Sequence, residues 1–377
     1  MENISTEDVA DRKHYIDRMK GVAIVGVMSI HSLVNSAARP ISKSLSMIMG
    51  LGIYGPYLFF IISGLGAMAS WERAEHSYIK FIKKRWIKLA PMYIFMILFW
   101  IIFNRILMVT KVMEIAFTQN THKESIILNV LLVHGIFANS MNTVVPGGWY
   151  IGVLFLMYMS FPLLWRFVNW TSRLFINKMF GSIIIVYLIQ TLGVLILDSK
   201  IYMLISPIFE FKPFIRAIPS FLIGMYLYNS EEGMLYVTDS RGKKVGWTLA
   251  TMMVAVLSGT MMYKGYNVDF IFIVFHICLY SLAQILENSN IKLTYLEFLG
   301  KNSYYIYLIH ALPFWYGWEK ISYWFAELHP NITYIIYFVF AFLITSILAV
   351  AMNFIDHKFM KTILKKLNLL KNKFLEV

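Results

Sequence analysis

Apolar residues fall in long blocks along this chain, each separated from the next by a short polar interval. Blocks of about 20 such residues are long enough to cross the ~30 Å hydrocarbon core of a bilayer as helices. The pattern predicts spans over 20–38, 46–70, 87–108, 148–168, 181–197, 214–229, 245–263, 268–286, 303–319 and 332–355. One further apolar stretch, 126–138 (IILNVLLVHGIFA), is too short to span and reads as a re-entrant or interfacial piece of the longest connection, 109–146. That connection ends in VPGGW, a turn leading into the next helix. The expected fold class is all-α: a polytopic membrane helical bundle of about ten transmembrane helices. The whole chain, 1–377, reads as a single membrane domain, with no internal repeat, low-complexity tract or appended soluble domain.

Lysine and arginine set the orientation, because they accumulate in cytoplasmic loops. With the N-terminus inside, most of the 34 Lys and Arg fall on the inner face, including KFIKKRWIK and the C-terminal tail. Both termini are then cytoplasmic: 1–19 as a short leader to the first span and 357–377 as a basic tail. Counting 126–138 as a full span would put the tail outside and break that agreement. The tail HKFMKTILKKLNLLKNKF alternates apolar and basic residues, as a helix lying on an anionic leaflet would. The first apolar run lacks a small-residue cleavage site and reads as a retained helix. Localisation is expected to be the inner or plasma membrane, as a multi-pass protein.

Composition agrees. Hydrophobic residues make up 58% of the chain and charged residues 15%, with a mean hydropathy of +0.62, whereas soluble domains run near 45–50% and about 25%. The net charge of +13 therefore reads as topology signal beside anionic lipid, with no implication of nucleic-acid binding. A single cysteine, Cys278, rules out an intrachain disulfide. The chain holds no HExxH, no CxxC, no cluster of carboxylates and no GxxxxGK[ST], which argues against a metal site and against nucleotide hydrolysis.

Candidate chemistry begins in the first span, RMKGVAIVGVMSIHSLV. Lys20 and His31 are eleven residues apart, three helical turns, so they share one face roughly 16 Å apart along the axis, with Asn35 a turn further on. An ionisable group halfway into the bilayer is costly, which makes His31 a functional candidate; the plainer reading is a neutral histidine bonded to a neighbouring helix. Ser63, Gly64 and Gly66 form a small-residue patch that suits helix packing. Lys80, Lys83, Lys84, Arg85 and Lys88 crowd the inner mouth of the third span. They read either as positive-inside anchoring or as a cluster for an anionic cytosolic cosubstrate. Other polar residues in or beside spans are His134, Glu210, Arg216, His276 and His310; Glu210, Lys212 and Arg216 border an outer loop, where they pair with one another or meet a polar acceptor.

Several motifs in order resemble the acyltransferase 3 family of integral membrane acyltransferases, whose polysaccharide O-acetyltransferases are the nearest likeness. IDRMKGVAIVGVMSIHS carries Asp17, Lys20, Gly21, Ala23 and His31 of the family's D-x-x-[RK]-G-x-A and following histidine. Phe59, Phe60, Ser63 and Gly64 match F-F-x-x-S-G, and KKRWIKLAPMY matches a basic stretch ending in proline. WYIGVLFLMYMSFPLL supplies Trp149, Tyr158, Phe161 and Pro162; PSFLIGMYLY and FLGKNSYYIYLIHALP follow, the latter similar to L-G-x-x-S-Y-x-x-Y-L-x-H. The likeness runs from about 14 to 355. It departs at Leu154, where many members have a glutamate, and at Lys20, often an arginine.

The resemblance implies a ten-helix enzyme that transfers an acyl group, usually acetyl, from cytosolic acyl-CoA to a sugar hydroxyl. The implied partners are acyl-CoA, the lipid bilayer and a glycan or glycolipid acceptor, a cell-surface polysaccharide or its lipid-linked precursor. The first-helix histidine is implied as catalytic. Geometry converges on the same residues. Lys20, Lys84, Arg85 and Lys88 would bind the CoA phosphates, and the pantetheine arm would run up the Lys20–His31 face, which is of comparable length. His31 would act as base, or as a covalent acyl carrier in a variant of the same reading. Ser63, Trp149, Tyr158, Tyr307 and His310 are candidates for the channel wall or the oxyanion. The loop 109–146, with His134 and Trp149 near its end, is the expected acceptor surface. The rival readings are a glycan-precursor transporter or flippase, which predicts inverted repeats between the halves, and a non-catalytic partner subunit. Oligomeric state, the acceptor sugar, and acetyl against succinyl as the donor group are not fixed by the sequence.

Overall fold

The computed structural model describes residues 14–36, 41–110, 122–174, 178–234 and 293–375, with isolated positions between 246 and 277. The expected spans 245–263 and 268–286 and His276 lie outside the described residues, apart from those isolated positions. So do residues 1–13 of the N-terminal leader.

In chain order the helices are α1 (His14–Asn35), α2 (Lys43–Gly50), α3 (Gly55–Arg73), α4 (Tyr78–Thr110), α5 (Lys123–Val130), α6 (Trp149–Met159) and α7 (Phe161–Thr171). There follow α8 (Lys178–Leu197), α9 (Lys200–Ile205), α10 (Lys212–Met234), α11 (Thr294–Lys301), α12 (Ser303–Ile309), α13 (Ala311–Trp324) and α14 (Pro330–Leu375). The fold is helical, and among the described residues the one β contact is an isolated antiparallel bridge between Phe137 and Phe209.

Three segments are long and apolar enough to cross a membrane: Lys43–Arg73, Tyr78–Leu107 and Pro330–Lys358. A fourth is α6 with α7 if the pair is one span, although it bends by 64°. The sequence pattern predicts a single helix over 148–168, and the break has a local cause. Pro162 stands in the first turn of α7, so the backbone cannot donate there to the preceding turn. The expected span 303–319 is divided in the same way. Pro313 has no N–H to give to Ile309, and the chain turns at His310 between α12 and α13. By contrast, α14 runs through the expected tail to Leu375 without interruption.

Close helix crossings depend on four glycines. A Cβ on Gly21 of α1 would collide with the Leu296 carbonyl of α11, and one on Gly300 of α11 would collide with the Asp17 carbonyl of α1. The same reciprocal fit joins α3 and α10: Gly64 faces the Phe221 carbonyl and Gly224 the Ile61 carbonyl. Small residues let membrane helices approach to backbone contact where lipid-facing apolarity supplies no driving force between them. Gly64 of the small-residue patch is therefore a packing residue, while Gly66 has open space beside it. Near the start of α1 its crossing with α11 is locked by Glu297, which accepts from Arg18 Nε at 2.9 Å and from His14 Nδ1 at 3.0 Å.

The short segment behaves as its length demands. Within 126–138 the helix α5 ends at Val130, a left-handed Leu132 (φ 61°) turns the chain, and a 3₁₀ turn follows at His134–Ile136. An eight-residue helix is about 12 Å long and does not cross a bilayer. Its end is stitched to 208–210 by Ala138 N–H to Ile208 O at 3.2 Å and Glu210 N–H to Ile136 O at 2.9 Å.

Candidate active site

A cleft of about 100 Å³ opens among α1, α3, α4, α6 and α12. Lys20 of α1, Ser63 of α3, Tyr150 and Leu154 of α6, and Ser303 and Tyr307 of α12 all line it. Phe59, Ile62, Leu89, Ile151 and Tyr304 complete a mostly apolar wall. Residues 303, 304, 307 and 310 follow one another along one face of a helix, and the first three of them face the cleft.

One mouth of the cleft is cationic. Lys20 lies 3.6 Å from Asp17 on its own helix, and Lys88 sits within electrostatic range of Lys20, Lys84, Arg85 and Asp17. The four cations expected from the sequence are therefore neighbours in space. Lys84 and Lys88 are exposed. Arg85 differs from them because the protein itself occupies it. Its Nη2 donates to the Gly66 carbonyl at 2.6 Å, and its guanidinium lies 4.7 Å from the Tyr158 ring centroid and 5.4 Å from that of Phe81. Arg85 ties α4 to α3 and α6, forming a wall of the mouth. Tyr158 sits under that guanidinium, edge-on to Phe81 and Phe221, and is not among the residues lining the cleft.

The far end is aromatic. Ring centroids step from Tyr150 to Tyr307 (5.3 Å), from Tyr307 to His310 (5.7 Å) and from His310 to His31 (4.8 Å). Tyr307 and His310 are almost completely buried, and His31 is half-buried. The Tyr307 hydroxyl donates to the Gly147 carbonyl. Gly147 holds φ 72°, a left-handed turn that suits glycine, and a Cβ there would reach 3.6 Å from the Tyr307 oxygen and 3.8 Å from His310 Cε1. The cleft lining ends at Tyr307, with His310 and then His31 beyond it. Trp149 packs edge-on against Tyr150 at 6.2 Å and does not line the cleft.

Two outer-loop expectations change. His134 is fully buried, so it presents nothing to an acceptor. Its ring lies nearly parallel to Tyr93 (10°), with Nε2 at 2.9 Å from the Gly148 carbonyl and 3.0 Å from the Tyr93 hydroxyl. Tyr93 in turn donates to Asn129 at 2.8 Å. This network fastens the short segment to α4 and to the start of α6, where Gly148 and Trp149 stand. Glu210 accepts from the Tyr202 hydroxyl and from the Lys212 backbone N–H, and forms no ion pair with the Lys212 or Arg216 side chain.

The pairing of His31 with His310 went unseen in the sequence, where 279 positions separate them. The available signal was their common depth, each near the middle of an apolar block and each closing a motif. Leu154, standing where a carboxylate is common in the resembling family, lines the cleft and is buried.

No curated protein and no solved structure matches the chain. A family model described as an acyltransferase domain matches residues 13–352, nearly the whole length and every element of the cleft. The chain belongs to this family of membrane acyltransferases.

Proposed function

We propose that the protein is an acyl-CoA-dependent O-acyltransferase of the inner or plasma membrane, crossing it ten times with both termini cytoplasmic. It transfers acetyl from acetyl-CoA to a hydroxyl of a cell-surface polysaccharide or its lipid-linked precursor. One observation carries this reading: a single row of side chains runs from Lys20 through Tyr307 and His310 to His31, with cations at one end and imidazoles at the other.

The chemistry follows from the two ends. Lys20, Lys84 and Lys88 attract the phosphates of CoA, each as a point charge on a flexible stem, while Arg85 holds the wall behind them. The apolar cleft receives the uncharged pantetheine arm, and a small acyl group fits against Tyr150, Leu154 and Tyr307. A neutral His31 takes the proton of the acceptor hydroxyl as that oxygen attacks the thioester carbonyl carbon. A C–O bond forms and the C–S bond breaks. The CoA thiolate leaves and recovers the proton from His31, so that acyl ester and free CoA are the products. Ser303 and Ser63, the latter hydrogen-bonded to Tyr150, bring hydroxyls to the cleft for the oxyanion, whereas the Tyr307 hydroxyl is spent on Gly147.

The test supplies labelled acetyl-CoA to membranes whose only acyltransferase of this kind is the protein. Label should reach polysaccharide with the wild type and not with His31→Ala inserted to the same level. Transfer by His31→Ala would overturn the role of His31. Movement of the acceptor across the membrane without label would overturn the enzyme in favour of a transporter.

A further inference from the structure

Among the described residues His31 carries no hydrogen bond to fix which of its ring nitrogens holds the proton, and no carboxylate lines the adjoining cleft. A base with an undefined tautomer is a poor base, because the lone pair must face the hydroxyl at the moment of attack. His310 fits this gap. Its Nδ1 lies 2.6 Å from the Tyr307 carbonyl. A carbonyl oxygen only accepts, so Nδ1 must carry the hydrogen, and the neutral ring then presents Nε2 as a bare lone pair. That Nε2 is buried and has no hydrogen-bond partner, which is uncommon for a buried polar atom. The neighbouring ring is His31, 4.8 Å away between centroids and tilted by 50°.

A purely structural histidine explains less. Its bond to Tyr307 would be served by any side chain with one N–H, and nothing would call for a second nitrogen inside an aromatic wall. Gly147 lies against the same ring, since a Cβ there would stand 3.8 Å from His310 Cε1. The Tyr307 bond fixes the ring, and its unused lone pair stays buried beside His31.

We propose that His310 is a positioning residue for His31. Its Nε2 accepts the ring N–H of His31 and so turns the other His31 nitrogen, as a lone pair, toward the acceptor hydroxyl. This rests on the acyl transfer proposed above. A neutral imidazole here does the orienting work of a carboxylate without placing a second charge in the membrane. The bond is made when the His31 ring rotates toward His310 as substrate fills the cleft.

The test compares His310→Phe, which removes the acceptor, with His310→Gln, whose amide oxygen keeps one near the Nε2 position. Acetyl transfer from labelled acetyl-CoA is followed in membranes carrying the full chain and the cell's own polysaccharide. His310→Phe should lower kcat roughly 10–100-fold, less than the ~10²–10⁴-fold that a positioned base itself contributes, with KM for acetyl-CoA changed less than about twofold. His310→Gln should recover most of that loss. Equal activity of the two variants, whether both high or both low, overturns the proposal. A second measurement does not depend on how the variants fold. The ¹⁵N spectrum of histidine-labelled wild-type protein should show His310 protonated at Nδ1 and bare at Nε2, and the reverse overturns the assignment. If the wild type transfers no label, the enzymatic reading itself fails. If His31→Ala is inactive while His310→Phe is unimpaired, this inference alone fails.

Discussion

The two ends of the cleft are built from opposite materials. At the cationic mouth, Lys84 and Lys88 are exposed and Lys20 keeps 31% of its side chain accessible. Long cations of this kind are held loosely and are screened by salt. At the far end, Tyr307 is 5% and His310 1% exposed, each is fixed by a bond to a backbone carbonyl, and the rings are in van der Waals succession. A ligand arriving at the mouth meets adaptable charges that capture it. One reaching the far end meets side chains whose geometry was settled when the protein folded. Capture tolerates substitution, whereas proton transfer within a few tenths of an ångström does not.

That contrast predicts separate kinetic signatures. The largest effect belongs to the far end: His31→Ala should lower kcat for acetyl transfer by about 10²–10⁴-fold, the span expected for loss of a positioned base, and leave acetyl-CoA binding near its wild-type strength. Equilibrium binding of acetyl-CoA to the purified variant checks the second half. A variant that loses binding as well would erase the division between capture and chemistry.

A smaller effect is expected at the mouth. Lys84→Ala with Lys88→Ala should raise KM for acetyl-CoA about three- to tenfold, with kcat held, because exposed charge contacts are each worth ~1 kcal/mol or less. The difference from wild type should fade as salt is raised toward 1 M, where screening acts within about 3 Å. An effect on kcat that salt does not touch would mean that these lysines reach into the chemistry. Arg85→Ala sharpens the comparison from another side. With its guanidinium bonded to Gly66 and stacked on Tyr158, its removal should lower the thermal midpoint as well as raise KM, whereas the lysine variants should leave the midpoint alone.

The sequence reveals the two ends unequally. Hydropathy alone places α3, α4 and α14, because an apolar run of bilayer length has few other uses. The Lys20–His31 register also follows from helix geometry within one element. Relations between elements are invisible at that level. Lys20 and Lys88 come within electrostatic range of one another only in the assembled bundle, and His31 meets His310 only after α12 is laid against α1. Arg85 shows how composition misleads: in sequence it is one more cation in a basic run, and in space it is consumed by Gly66 and two aromatic rings. His134 misleads in the same way, since a histidine in an outer loop reads as exposed until Tyr93 and Gly148 close over it. The breaks at Ser160 and His310 were within reach, because Pro162 and Pro313 stand beside them in the chain and an apolar block conceals a proline only from a hydropathy average.

The smallest expected effect concerns neither end directly, and it tests whether the α1 face is held from below. Burial pushes the Glu297 carboxyl up, but the hydrogen bonds from His14 and Arg18 push it down further, so the net direction is below its ordinary value of 4.5. A carboxyl depressed in the folded state adds stability that is fully present above the unfolded value and is lost as pH falls through the folded one. Glu297→Gln should therefore lower the thermal midpoint of the detergent-solubilised protein by a few degrees at pH 7, in proportion to the loss of ~1 kcal/mol of charge-assisted bonding. The gap between variant and wild type should close once the pH is taken well below 4.5, where both carry a neutral side chain at this position. Because α1 would still be seated by the Gly21 and Gly300 crossing, acetyl transfer at moderate temperature should change less than about twofold. A large loss of kcat in Glu297→Gln would mean that the ion pairs, and not the glycine crossing, set the height of His31 against His310.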